Sequence, residues 1–307
     1  MIETLGTKRV KTLATLSAAL LAAVLATGAG CGRKTGGAGA SVIQVKGSDT
    51  LVNVAQSWAE AFAKADPSVS VEVAGGGSGV GIAALGKGAI DIATASRDLK
   101  PEEKEQLKKT TGKDAREFTV GYDALAIYVH KDNPLQEISL DQLAAIFAEG
   151  GEITRWSQLG VTLPGVTDDT IVRVSRQSSS GTYEFFRDHV LGKKDFKLGS
   201  RDMNGSKEVV ELIGGTRTAL GYSGMGYASP AVKMLKLAAR NGDPAVEPNV
   251  RNTLTKAYPL ARSLHLFTAG EPEGAVRKFI DWVLSDAGQK ILEECGYVPA
   301  PPAGGGK

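Results

Sequence analysis

Ile171-Val-Arg-Val-Ser-Arg176-Gln-Ser-Ser-Ser180-Gly-Thr182-Tyr-Glu-Phe-Phe186 passes from a β-branched run into a helical one through a turn of small hydroxyl residues and glycine. Ile171–Val174 predicts a strand, and Thr182 to about Leu191 a helix. The same strand–turn–helix grammar recurs upstream. Val42–Lys46 leads through Lys46-Gly-Ser48-Asp49-Thr50 into Leu51, Val54, Ala55, Trp58, Phe62 and Ala65 at helical spacing, stopped by Pro67. Val69, Val71 and Val73 alternate as a strand that runs through Gly75-Gly-Gly-Ser78-Gly79 into a helix over Val80–Leu85.

Further elements follow the same alternation. Ile90–Thr94, Ala124–Val129 and Ala219–Tyr222 predict strands, and Pro101–Lys109 a charged surface helix. Ser139 and Gln142 form a capping box for a helix ending at Phe147, and Ser206 is placed to cap Lys207–Ile213. Val276, Phe279, Ile280 and Val283 share one stripe of a helix over Pro272–Leu284, and Asp286–Glu294 adds another. Strands alternating with helices predict an α/β fold with parallel strands, and no short repeat period interrupts it.

The three turns share a chemistry. A helix start presents unpaired backbone N–H groups and the positive end of the helix dipole. Glycine admits close approach to the main chain, and Ser and Thr add short donors, so such turns hold tetrahedral oxyanions with few formal charges. Ser and Asp at such places also serve as N-caps. Three turns of one kind, one of them carrying Arg176, favour an anion site.

Arg176-Gln-Ser-Ser-Ser-Gly-Thr182-Tyr-Glu-Phe-Phe resembles the signature of the phosphate ABC-transporter substrate-binding family, and so do Gly47-Ser-Asp-Thr50, Gly77-Ser-Gly79 and Asp91-Ile-Ala-Thr-Ala-Ser-Arg97. Further matches, read as lying outside the site, are Ile146-Phe147 through Ile153-Thr-Arg-Trp156, Leu220 through Tyr227, and Tyr258-Pro-Leu-Ala-Arg262. The resemblance spans about 42–298. It implies a two-lobed type 2 periplasmic-binding-protein fold with a ligand cleft, one lobe formed by 42–120 plus 260–298 and the other by 121–259. It also implies an extracytoplasmic protein that is not an enzyme, uses no cofactor, acts as a monomer and delivers inorganic phosphate to an ABC permease and ATPase complex.

Carried over residue by residue, Arg176 pairs with phosphate oxygens, Ser180 and Thr182 donate hydroxyls, Gly181 its backbone N–H, and Ser78 a hydroxyl from the opposite lobe. Ser48, Asp49 and Thr50 match the first-turn ligands. Some members carry a proton-accepting Asp where this chain has Ser96 and Arg97, two further candidates. That departure makes Asp49 the expected acceptor that favours phosphate over sulfate.

Composition bounds the alternatives. The chain has 307 residues and a formal net charge of +2. The first thirty residues hold Lys8, Arg9 and Lys11 against Glu3, so the remainder is balanced and gives no reason to expect nucleic-acid binding. Two cysteines exclude a disulfide scaffold, and His130, His189 and His265 show no metal-ligand spacing. Gly81-Ile-Ala-Ala-Leu-Gly-Lys87-Gly lacks the Ser or Thr of a nucleotide-binding P-loop. Ser178–Ser180 lacks a nucleophile elbow. Rivals are the same scaffold tuned to sulfate or molybdate, a secreted phosphatase, and a phosphate sensor.

The amino terminus reads as an address. A basic stretch, an apolar run over 13–26 and small residues before Cys31 lay out a signal peptide over 1–30. Cys31 directly after the small residues resembles a bacterial lipobox, which implies lipidation at Cys31, although Gly28 stands where Leu is preferred; the alternative is ordinary signal cleavage with Cys31 incidental. Residues 31–41 read as a flexible tether and 299–307 as a loose tail. Together these place the body at the outer face of a bacterial membrane, in the periplasm or on the cell surface, held through its lipid.

Overall fold

The computed structural model describes residues 41–300. The expected signal peptide, Cys31 and nearly all of the expected tether lie outside the described residues, as do 301–307. In chain order come β1 (Ser41–Gly47), α1 (Val52–Ala65), β2 (Val69–Ala74), α2 (Ser78–Gly86), β3 (Ile92–Ala95), α3 (Pro101–Thr111) and the long β4 (Ala115–His130). Next are β5 (Glu137–Ser139), α4 (Leu140–Phe147), β6 (Val172–Arg176), α5 (Gly181–His189), β7 (Arg201–Met203), α6 (Ser206–Gly214), β8 (Ala219–Gly224), β9 (Val232–Met234), β10 (Lys236–Ala238) and α7 (Val250–Leu254). The chain closes with β11 (Ala261–Ala269), α8 (Gly274–Val283), α9 (Asp286–Glu294) and β12 (Val298–Pro299).

Local sequence explains most of these elements. Helix α1 buries Val54, Ala55, Trp58 and Phe62 on one stripe and ends two residues before Pro67. The Ser139 hydroxyl accepts from the Gln142 amide, and the Gln142 side chain returns to the Ser139 amide, closing the expected box at α4. Pro101 opens α3, where its missing N–H costs nothing. Gly81 and Gly86 both lie within α2, so the P-loop-like string forms no phosphate loop.

The sheet runs β2-β1-β3-β11-β4-β8-β6-β7. The pairs β1/β2, β1/β3, β6/β7 and β6/β8 are parallel, as βα alternation predicts. The middle is not: β11 runs antiparallel to both β3 and β4, and β4 antiparallel to β8. The expected strand Ala124–Val129 is the second half of a sixteen-residue strand. Its first half escapes an apolar-run reading because Arg116, Glu117, Thr119 and Gly121 interrupt the hydrophobic sequence, and Asp123 separates it from the apolar run.

The result is a two-lobed α/β fold. Two core clusters draw their buried members from 43–120 and 264–297, the other two from 124–260. The chain crosses between the cores on β4 and β11, where Asp123 stands directly opposite Arg262 in the ladder. Trp58 and Trp156 are fully buried, one in each core. Two residues of the expected loose tail are held: Pro299 pairs with β4, and the Ala300 amide donates to Gln289 Oε1. No helix among the described residues is long and apolar enough to cross a membrane.

Candidate functional site

The three turns meet at the carboxyl ends of β1, β2 and β6, where α1, α2 and α5 begin, the position at which open α/β sheets bind ligands. Ser180 is the N-cap of α5 and accepts from the amides of Thr182 and Tyr183. The predicted Ser206 cap is different: Gly205 is the N-cap of α6, and the Ser206 hydroxyl accepts from Arg176 Nη1 instead. Asp49 does not cap α1, whose N-cap is Leu51 with no side-chain bond.

A buried hydroxyl cluster forms where the lobes touch. Thr50 Oγ1 and Thr182 Oγ1 are 2.9 Å apart, and Ser78 Oγ accepts from the Ser96 amide at 3.2 Å. Ser96 Oγ is fully buried and has no hydrogen-bond partner. A side chain at Gly181 would overlap Ser78 Oγ and press on Ser96 Oγ, so glycine there lets the start of α5 approach those hydroxyls. Across the same seam the Gly79 amide donates to Ser179 O at 3.0 Å, and Ser179 Oγ donates to Gly76 O at 3.2 Å. Gly77 has φ +96°, a left-handed value suited to glycine, and a Cβ there would collide with the Ser179 carbonyl.

The structure brings Thr50, Ser78, Ser96, Ser180, Gly181 and Thr182 together, and Ser48 lies buried in the first turn, its amide donating to Thr94 O. It engages the two candidate arginines elsewhere. Arg176 Nη2 donates to Asp49 Oδ2 at 2.8 Å and to Asn204 O at 2.9 Å, Nη1 to Ser206 Oγ at 3.0 Å, and Nε to Met203 O at 3.3 Å. Burial pulls this guanidinium below its ordinary pKa, and Asp49 opposes that pull. Asp49 Oδ1 also accepts from the Gly76 amide, so its carboxylate ties two lobe-one turns to Arg176. Arg97 makes a two-nitrogen fork onto Glu103 at 2.7 and 2.8 Å, while its Nε pairs with Glu184 across the cleft at 2.5 Å. Lys100 joins Glu184 at 2.9 Å.

Two residues absent from the sequence-derived candidates, Arg262 and Asp123, belong to this cluster. Arg262 comes from the Tyr258–Arg262 match that was set outside the site. It donates to Asp123 Oδ2 from Nε at 3.0 Å and Nη2 at 2.7 Å, to Thr182 Oγ1 at 3.0 Å, to Ser96 O at 3.3 Å and to Thr50 Oγ1 at 3.4 Å. Asp123 is fully buried, and its other oxygen accepts from the Met225 amide. Burial pushes the Asp123 carboxyl above its ordinary value, and the Arg262 guanidinium pulls it back. Arg262 carried a signal in its family match, while Asp123 showed only as a charge inside an otherwise apolar strand.

An open cleft of about 360 Å³ adjoins the cluster, with Arg97, Lys100, Glu184, Lys256 and Arg262 among its walls. Nearby, His265 is buried with Asp98 at Nε2 and Glu117 at Nδ1, both at 3.1 Å. Asp98 is hydrogen-bonded at Nε2, and the two carboxylates stand at opposite ring nitrogens, whereas a single ion ligated by one nitrogen would need both on the same side.

The chain matches a family model described as a PBP superfamily domain over residues 26–287. The phosphate-binding protein PstS of Pseudomonas aeruginosa is 33% identical over 265 residues, covering 83% of this chain and 82% of that protein. A structure from Clostridium perfringens, assigned as a phosphate ABC transporter substrate-binding protein and holding phosphate, has a TM-score of 0.74 at 31% identity, covering 85% of this chain and all of that one. An ABC-type phosphate transport receptor from Vibrio cholerae gives a TM-score of 0.67 at 27% identity, covering 84% of this chain and 100% of that chain.

Proposed function

The chain belongs to the PBP superfamily and within it to the phosphate ABC-transporter substrate-binding family, and from that premise we propose that it captures inorganic phosphate outside the cytoplasm and delivers it to an ABC permease and ATPase complex. The observation that carries this reading is the buried cluster of Thr50, Ser78, Ser96, Gly181 and Thr182 at three helix starts, with the unpartnered Ser96 hydroxyl inside it. Short neutral donors and backbone amides suit a dehydrated oxyanion, because each desolvated acceptor oxygen needs a donor in place of water. In this reading Ser48, Ser180 and the Asp49–Arg176 pair complete the turns that present those donors, and Arg97 ties one lobe to the other through Glu184. No bond in the ligand is made or broken; the work is enclosure between closing lobes.

Cys31 carries a lipid that holds the body at the extracytoplasmic face of the membrane, and the protein works as a monomer with the residues before 42 as its tether.

Calorimetry of the purified chain with phosphate, arsenate, sulfate and molybdate tests the reading. Phosphate is expected to bind at least 100-fold more tightly than sulfate and to raise the unfolding midpoint. Saturation at a thousandfold excess over Kd adds about 4 kcal/mol to stability. Sulfate or molybdate binding as tightly as phosphate, or no phosphate heat at all, overturns it.

A further inference from the structure

Of the buried arginines at the seam between the lobes, Arg176 has every guanidinium nitrogen bonded to a group outside the hydroxyl cluster: Asp49, Ser206 and the carbonyls of Met203 and Asn204. Arg262 is different. One edge of its fork, Nε with Nη2, rests on Asp123, which faces it across the β4–β11 ladder. The remaining donors point at Thr182, Ser96 and Thr50, members of the cluster itself, at 3.0, 3.3 and 3.4 Å. Two of those three bonds are long, and bonds near the limit of hydrogen-bond distance are readily exchanged for a charged acceptor. Arg262 also forms part of the wall of the open cleft, so an anion entering by that route meets it before the closed seam.

Building on the phosphate reading above, we propose that Arg262 is the cation that contacts the captured oxyanion, with Asp123 as the positioning residue that holds its fork toward the threonine hydroxyls. The arrangement has a physical logic. Before capture, Asp123 balances a charge that would otherwise be buried alone, and a lone buried charge is strongly destabilising. On capture, Arg262 keeps its Asp123 edge and exchanges the Ser96 carbonyl and Thr50 contacts for anion oxygens. Because the pair joins the two strands on which the chain crosses between lobes, the same guanidinium reports occupancy at the crossing. Arg176 then acts as a bracket between lobes through Asp49, and its loss acts on closure.

The test uses the full chain. Arg262→Gln alone strands Asp123, so the informative variant is Arg262→Gln with Asp123→Asn, which replaces the ion pair by an amide pair of similar shape. That variant is expected to unfold cooperatively and to bind phosphate roughly 100-fold more weakly. Arg262→Lys keeps the charge without the fork and is expected to lose about tenfold, in line with a charge-assisted bidentate contact reduced to one. A purely structural role would lower the unfolding midpoint of the ligand-free variants yet leave the shift produced by phosphate intact, and that result overturns the proposal. So does a folded double variant within about threefold of the parent affinity. One measurement needs no variant to fold: the Arg262 side-chain N–H resonances of the parent chain should move on phosphate addition, and unmoved resonances under saturation count against it. If the parent ignores phosphate but binds another oxyanion, the phosphate reading fails while the Arg262 assignment is judged with that anion. A parent that binds no oxyanion sinks both.

Discussion

At the residue scale the clearest lesson is Asp49. The sequence made it the expected acceptor for a phosphate proton, or else a cap. In the structure one oxygen accepts from the Gly76 amide and the other from Arg176. A carboxylate held at both oxygens, with Arg176 as its ion-pair partner, works as a tie between turns. Asp49→Asn keeps the acceptor for Gly76 but gives up the charge opposite Arg176. We therefore expect phosphate and sulfate affinities to fall together, by an amount typical of a charge-assisted hydrogen bond, about 1.5–3 kcal/mol, with their ratio within about threefold. Paired titrations check this; a collapse of the ratio alone would restore Asp49 as the selectivity residue.

At the element scale, the segment after β3 is pinned to the start of α3 and to α5. Arg97 forks onto Glu103 and pairs with Glu184, and Lys100 reinforces the same Glu184. Burial raises the Glu103 carboxyl, yet the Arg97 bond, the Lys100 amide and the neighbouring positive charges outweigh it, leaving the value below the ordinary one. A group whose folded pKa is depressed contributes stability that is fully present above its unfolded value, about 4.3 for Glu, and that is lost as pH falls through the folded value. The acid limb of the stability curve should therefore carry a Glu103 component below about pH 4.3. Glu103→Gln should flatten that limb while lowering the plateau at neutral pH. Thermal melts across pH 2–6 read it, and superimposable acid limbs for parent and variant would remove Glu103 from the account.

At the scale of the whole molecule, the two cores are joined by strands that cross at residues 121–123 and 261–263, and the seam between lobes carries the Asp49–Arg176, Arg97–Glu184 and Thr50–Thr182 contacts. In the proposed reading capture and anchoring are separable, because the proposed anchor, Cys31, precedes the folded body and the candidate site residues lie within 48–262. Cys31→Ser is expected to release the protein from membranes in fractionation while leaving phosphate affinity within about twofold, a change of under ~0.5 kcal/mol. A Cys31→Ser protein that still resists alkaline washing from membranes contradicts the lipid-anchor proposal.

Read alone, the sequence determined what depends on neighbours a few residues apart. The three strand–turn–helix units, the Ser139–Gln142 box, the Trp58 stripe and the hydroxyl and glycine content of the turns all follow from local period and capping, and each is found in the structure. The order of the turns in the chain also marked the family. What only the tertiary structure decided is how charges were shared among those turns. Arg262 lies 139 residues from Asp123, 80 from Thr182 and 212 from Thr50. No periodicity connects such positions; they meet because β11 returns antiparallel between β3 and β4. The same return strand turned Asp123, a break in an apolar run, into a buried partner. A hydrogen bond is satisfied by proximity in space, so the hydroxyl-rich turns could be read from the chain, while the arginine that faces them became visible only once the sheet had been assembled.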